Sequence, residues 1–254
     1  MPAETSSKPT VEEFATRFRG EMIPITNSFA YFSAVPLAEE DVKQYLQDPI
    51  AALPPSICAL LPRIGIALVP YIERANGKPS GAGRAHDSVS FDKPAENRQA
   101  SVSRLALDKE VTLVFATRDE AVADYHYVFY NEISSLVTEH WPRESQERFT
   151  RLLREELRSE VHGEVDDRSW HLKQSLLRRQ TNIRKESKLF RDYARQAFAD
   201  TLTLYLHGTC CDIDVETGPR QMPSRYLRRR LELLLTLFPP PEGYVVLPEA
   251  PRKR

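Results

Sequence analysis

The chain has 254 residues, of which 41% are apolar and 28% charged, and its formal net charge at pH 7 is −1. This composition indicates a globular protein and excludes a disordered chain, and no apolar run approaches the roughly 20 residues that a membrane-spanning helix needs. The three cysteines are an odd number and two of them are adjacent, which indicates a reducing compartment, so we expect a cytoplasmic protein without a membrane partner.

Residues 1–62 are predicted to form an N-terminal helical segment. Proline breaks this segment into short pieces, because proline cannot continue a helix interior. Short helices are therefore expected at residues 41–47 and 56–61. We expect the segment to form one continuous domain with the remainder of the chain, residues 63–254.

The residues that follow have the composition of strands. Four short runs are rich in β-branched and apolar residues, and we predict them as strands: 64–72, 89–91, 101–107 and 111–116. Between the last two runs, Asp108-Lys109 suits a tight hairpin turn. A polar, glycine-containing loop is predicted at 76–86. Together these signals predict a small, mainly antiparallel sheet of three or four strands.

From residue 118 onward, apolar residues recur at spacings of three and four, which is typical of amphipathic helices. The predicted helices cover residues 119–140, 144–161, 182–207 and 224–238. Helices, then a sheet, then helices, without alternation of strand and helix, indicate an α+β fold. We therefore predict a mostly helical α+β protein with a small sheet followed by a helical C-terminal half.

Basic residues exceed acidic ones after residue 143, whereas the preceding part is net acidic. Arginine clusters attract phosphate backbones, so a nucleic-acid-binding module that uses the Arg-rich C-terminal helices is one possible function. The densest cluster is Arg228-Arg229-Arg230. We expect these three side chains to be solvated, because Leu227, Leu231 and Leu234 already define a buried face of the same helix.

A second possible function is a metal-dependent hydrolase. Imidazole and carboxylate groups bind divalent ions, and the candidate ligands are His162, Glu164, Asp166 and His171. The same residues also suit a solvated acidic loop in which Asp167 or Ser169 caps the next helix. A histidine arrangement that matches no known motif would draw on His126, His162, His171 and His207.

A third pattern lies in the predicted helix directly after the sheet. Residues 130–137 read Tyr-Asn-Glu-Ile-Ser-Ser-Leu-Val. This segment resembles the active-site helix of the zincin metallopeptidases, His-Glu-x-x-His, in which two imidazoles one turn apart bind zinc and the Glu activates water. Glu132 stands at the position of that Glu. Asn131 and Ser135 stand at the two histidine positions.

The helix predicted at 182–207 extends the resemblance. Gln196 and Asp200 resemble the Glu-x-x-x-Asp segment of the gluzincins, in which the Glu is the third zinc ligand and the Asp orients a ligand histidine. Gln196 replaces the Glu, and Asp200 is retained. The resemblance implies that the two helices pack together and that Asn131 donates a hydrogen bond to Asp200, directly or through water. An ordinary pair of surface helices with a polar stripe would carry the same residues.

What the resemblance implies for function is a pseudo-metallopeptidase. Neutral Asn, Ser and Gln side chains bind zinc poorly, so we expect neither a cofactor nor metal-dependent catalysis. The partner would be a peptide or a protein, held along the sheet edge as substrates are in that family.

Overall fold

The computed structural model describes residues 8–75, 87–107, 110–178, 187–210 and 222–245. The loop predicted at 76–86, the turn Asp108-Lys109 and the start of the helix predicted from residue 182 lie outside the described residues. The chain divides into two compact units: Met1–Gln47 with Pro62–Val128, and Asp48–Leu61 with Phe129–Arg254. Within the ranges described, no helix combines the length and the apolar character needed to cross a membrane.

In the part of the chain that the structure describes, all the strands belong to the first unit. They are β1 (Ile23–Pro24), β2 (Phe29–Ser33), β3 (Arg63–Val69), β4 (Tyr71–Glu73), β5 (Ser88–Ser90), β6 (Gln99–Ala100), β7 (Val102–Leu107) and β8 (Glu110–Ala116). A five-stranded sheet has the order β1-β2-β3-β8-β7, and a small antiparallel sheet has the order β5-β4-β6. The fold is α+β, as predicted, with both sheets in the N-terminal half.

The larger sheet is mixed, so the prediction of a mainly antiparallel sheet is wrong for it. Its inner strands β2, β3 and β8 run parallel, and only β1 and β7 are antiparallel to their neighbours. Parallel pairing requires long connections, and about thirty residues or more separate β2 from β3 and β3 from β8. The predicted hairpin is confirmed, because β7 pairs with β8 in a register that sets Leu107 opposite Glu110.

Two corrections concern the strand predictions. β1 and β2 lie in the segment that was predicted to be helical, so that prediction is wrong for these residues. The sequence does not show β2 as a strand because its five residues are too few to show a period and its partner β3 lies far along the chain. The run predicted as one strand at 64–72 is divided at Pro70. β3 before this proline joins the large sheet, whereas β4 after it joins the small one.

The first unit also contains α1 (Val11–Phe18), α2 (Glu39–Val42) and a π-helical turn at Lys43–Gln47. Thr10 and Glu13 form a capping box that fixes the start of α1. Val11, Phe14 and Ala15 of α1 pack into an apolar core with residues of both sheets. Amphipathic spacing thus places α1 over one part of the sheet surface.

Among its described residues, the second unit contains the helices α3 (Asp48–Ala51), α4 (Pro55–Cys58), the part of α5 (Val122–Glu139) from Phe129 onward, α6 (Arg143–Arg158), α7 (Asp167–Leu177), α8 (Lys188–Cys210) and α9 (Ser224–Leu237). Four of them confirm predicted helices to within a few residues at each described end. The core of this unit includes stacked rings of Trp141 and Phe198, whose centroids lie 4.2 Å apart. Phe149 meets Phe198 edge to face.

Candidate functional site

The positions that resemble the first zincin motif lie on α5, two turns after its start. Asn131, Glu132 and Ser135 are each half-buried. Asn131 and Ser135 are one helical turn apart and therefore face the same way. All three belong to the second unit, as do Gln196 and Asp200.

The positions that resemble the second motif contact each other directly. The amide nitrogen of Gln196 donates to Oδ1 of Asp200 at 2.7 Å. Asp200 is only 4% exposed, and its Oδ2 atom has no well-aligned donor among the described residues. The hydroxyl of Ser169 also lies beside this carboxyl, but its proton goes to the carbonyl oxygen of Asp166. Burial raises the pKa of Asp200 to about 6, although Ser169 and Gln196 oppose that change.

Gln196 is the donor to Asp200 within the described ranges, and Asn131 makes no direct hydrogen bond to this carboxyl, so the direct form of the expected contact is wrong. The form bridged by water stays a prediction. The two helices nevertheless meet: the rings of Tyr130 on α5 and His207 on α8 lie 6.3 Å apart. His207 follows Asp200 by seven residues, or about 10 Å of helix rise. Whether these positions are the remnant of a zinc site stays a prediction.

A second polar cluster, which the sequence did not reveal, lies in the interior of the second unit. We call it the buried ion cluster; its members are Glu156, Glu164, Lys173, Tyr193, Thr201 and Arg230, and none is more than 2% exposed. The guanidinium of Arg230 contacts both carboxylates. Its Nη2 atom lies 2.6 Å from Glu156, and its Nη1 atom lies 2.7 Å from Glu164. The expectation that Arg230 is solvated is therefore wrong.

The remaining members complete the hydrogen bonds of the cluster. Lys173 donates to the carbonyl oxygen of Gly163 at 2.8 Å and lies 3.2 Å from Glu164, and the hydroxyl of Tyr193 donates to Glu164. Burial alone would raise the pKa of Glu164, but the charges of Arg230 and Lys173 lower it to about 2. The two cations balance the two carboxylates, so the cluster is neutral. Because each charged side chain of the cluster has a partner of opposite charge, we assign the cluster a structural role rather than a catalytic one.

The metal-ligand candidates do not converge. Glu164 is engaged in the buried ion cluster, while Asp166 caps α7 by accepting from the backbone nitrogen of Arg168 at 3.0 Å. His162 and His171 are exposed. The ring of His126 lies in the first unit with Nε2 2.7 Å from the carbonyl oxygen of Gln44. Across the described part of the chain, no group of three or more metal-binding side chains comes together.

One signal in the sequence could have revealed the buried ion cluster. The apolar stripe of α6 runs through Phe149, Leu152, Leu153 and Leu157, and Glu156 lies inside that stripe. Arg230 lies between Leu227, Leu231 and Leu234 in the same way on α9. A charge of each sign on two apolar stripes predicts a buried pair, because an isolated buried charge is too costly.

Comparison with protein-family models, with curated proteins and with solved structures finds no match. The zincin resemblance therefore depends on the residues of α5 and α8 alone.

Proposed function

We propose that this protein is a non-catalytic, zincin-like protein that binds an extended peptide segment of a partner protein along strand β7. The absence of ionisable ligands at Asn131, Ser135 and Gln196 argues for a binding role rather than zinc-dependent hydrolysis. The order of elements supports the same scaffold, because α5 directly follows the last strand and the described helices α6 and α7 lie between α5 and α8.

The observation that carries the binding proposal is the position of β7 at the edge of the five-stranded sheet. Within the described residues β7 pairs only with β8 in this sheet. The backbone nitrogen of Ala116 donates to the carbonyl oxygen of Ser101 at 3.0 Å, which fixes the hydrogen-bonded pairs of this hairpin. By the alternation of an antiparallel ladder, the backbone N–H and C=O groups of Val102, Arg104 and Ala106 point away from β8.

Such an edge is a template for strand addition. A peptide that adds to β7 gains backbone hydrogen bonds, and its alternate side chains supply specificity. An incoming strand would pair with the outward backbone groups of Val102 and Ala106. A partner segment of five or six extended residues would span them.

The two other functions are less well supported by the structure. For nucleic-acid binding by α9, Arg230 is buried and so cannot contact a phosphate, and Arg229 forms an ion pair with Glu155 at 3.0 Å. For a metal-dependent hydrolase at the His162 loop, the candidate ligand Glu164 is already paired with Arg230 in the buried ion cluster. Among the described residues of α9 and of the His162 loop, neither function therefore has a complete cluster of available groups.

Selection of a random linear peptide library on the full chain tests the proposal. We expect enriched peptides with alternating β-branched residues, whose affinity falls about tenfold or more when Val102→Pro removes one outward N–H. Val102→Ala is the matched control, because it truncates the same side chain and keeps the N–H. Ala106→Pro is a second variant in case Val102→Pro fails to fold. Equal affinity for the proline and alanine variants would refute binding along β7.

The absence of zinc is tested separately. Elemental analysis of protein purified without a histidine tag should detect far less than one zinc ion per chain. A value of about one zinc ion per chain would overturn the non-catalytic assignment and direct attention to the histidines.

A further inference from the structure

A cavity of about 310 Å³ opens on the five-stranded sheet of the first unit, at the ends where β3 and β8 begin. Its floor is a row of small residues on three neighbouring strands: Ala30 of β2 pairs with Gly65 of β3, and Gly65 pairs with Thr112 of β8. Side chains of one row lie on the same face of a sheet. Three small side chains in one row therefore leave a depression in that face.

The helix that covers the rest of this face ends before it reaches the depression. The neighbouring row, Phe32, Ala67 and Val114, lies in the apolar core with α1. α1 ends at Phe18, and the chain then crosses the cavity through Arg19 and Met22. The cavity is therefore a consequence of helix length and small strand residues, both of which the sequence specifies.

Gly65 is required for the shape of the cavity. A Cβ atom at this position would lie 2.7 Å from Sδ of Met22 and 3.5 Å from Oγ1 of Thr112. The thioether of Met22 therefore lies directly over Gly65 and forms an apolar wall, while Thr112 contributes to the floor beside it. A flexible methionine wall can adjust to the shape of a bound molecule.

The rim of the cavity carries a surplus of positive charge. Arg19 lies 2.7 Å from Glu110, and Arg63 lies 3.5 Å from the other oxygen of the same carboxylate. Two guanidinium groups thus share one carboxylate, which leaves a net charge of +1 at the rim. Each contact uses one nitrogen of a group with five N–H donors, so donors remain for a second anion. Arg63 is the more exposed of the two, with a side chain 74% accessible.

We propose that this cavity binds a small organic carboxylate. The carboxylate lies between Arg63 and Arg19, which bind such groups through parallel N–H donors. The apolar body of the ligand lies on Ala30 and against Met22. The volume is at the lower end of the range for a site that holds one small molecule, and its lining combines apolar side chains with polar ones. This site is separate from the β7 edge and does not depend on the peptide-binding proposal.

Ligand-observed NMR titration of the full chain with benzoate, phenylacetate and hexanoate tests the proposal. The corresponding amides are the neutral probes. We expect at least one carboxylate to bind saturably and its amide to bind about tenfold more weakly or not at all, because only the anion forms charge-assisted hydrogen bonds.

Two variants and one control locate the site. Arg63→Gln removes an exposed charge without altering packing and should raise the Kd about tenfold. Ala30→Leu fills the floor and should abolish binding. Arg17→Gln removes the same charge from the exposed face of α1 outside the cavity lining, and should leave the Kd unchanged. Three results would overturn the proposal: no binding of any of the carboxylates, equal binding of an amide, or equal effects of Arg63→Gln and Arg17→Gln.

Discussion

Replacement of Arg230 by methionine should destabilise the second unit severely, because it leaves two buried carboxylates without their shared cation. Arg230 is fully buried and contacts both Glu156 and Glu164. Removing one member of a buried ion pair costs about 3–5 kcal/mol of the free energy of unfolding. Lys173 remains 3.2 Å from Glu164 and moderates the loss at that carboxylate. The expected cost therefore arises mainly at Glu156.

The cost depends on the orphaned carboxylate, so a second substitution should reduce it. Adding Glu156→Leu to Arg230→Met removes the unpaired charge and leaves Glu164 with Lys173. The double variant should be more stable than Arg230→Met alone, because an apolar replacement of a whole buried pair is often neutral or stabilising. This reversal would not occur if Arg230 contributed only packing, since two independent losses would add.

Tryptophan fluorescence during urea unfolding measures these effects in the correct part of the chain. Both tryptophans, Trp141 and Trp170, lie in the second unit. Arg228→Met is the control, because it removes the same charge from an exposed position on α9. The reasoning is refuted if Arg230→Met and Arg228→Met unfold at the same urea concentration, or if the Glu156→Leu substitution destabilises Arg230→Met further.

Two further predictions concern stability. Burial raises the folded-state pKa of Asp200 from 3.8 to about 6. The group therefore contributes about 3 kcal/mol to the free energy of unfolding below pH 4, and this contribution is lost as the pH rises to 6. Asp200→Asn should abolish that part of the pH dependence of stability, whereas Asp192→Asn, at an exposed position, should not. Gly163 has a φ angle of 76°, so Gly163→Ala should lower the free energy of unfolding by about 1–2 kcal/mol. Gly20→Ala is the control and should leave the Tm unchanged, because a Cβ atom at Gly20 would meet nothing within 4 Å. Equal Tm values for the two variants would contradict the argument that Gly163 avoids backbone strain.

The sequence predicted the long helices well and the sheet incompletely, for a physical reason. An amphipathic helix repeats its signal over several turns, as in α6 and α9, so its position can be read without knowing its partner. A strand of five residues such as β2 carries too little periodicity, and its pairing with β3 depends on residues more than thirty positions away. The parallel direction of the inner strands depends on the path of the long connections between them, and the residues of a single strand do not reveal it.

The same distinction applies to the candidate sites. The zincin resemblance could be proposed because its residues lie within single helices, whereas the buried ion cluster joins residues of α6, α7, α8 and α9 with the Gly163-Glu164 loop. Arg230 occupies an apolar stripe, but the stripe does not identify its partners. Glu164 looked like part of an acidic loop because Asp166 and Asp167 follow it closely in the sequence. In the structure Glu164 is buried directly after Gly163, whose φ angle is 76°.

The two buried carboxylates of the second unit, Glu164 and Asp200, have opposite electrostatic environments, and the contrast bears on the zincin hypothesis. Glu164 contacts two cations, which lower its pKa to about 2, so it stabilises the fold above pH 4.5 and loses that contribution as the pH falls. Asp200 contacts an amide and a hydroxyl, and burial raises its pKa to about 6. In a gluzincin the corresponding Asp contacts a histidine that is bound to zinc. Replacement of that histidine by a neutral residue would leave a buried carboxyl without a cation, and such a carboxyl favours its protonated form. Burial raises the pKa of any carboxyl that lacks a cation, in any fold, so the raised pKa of Asp200 is compatible with the zincin hypothesis and does not distinguish it from an ordinary buried carboxyl.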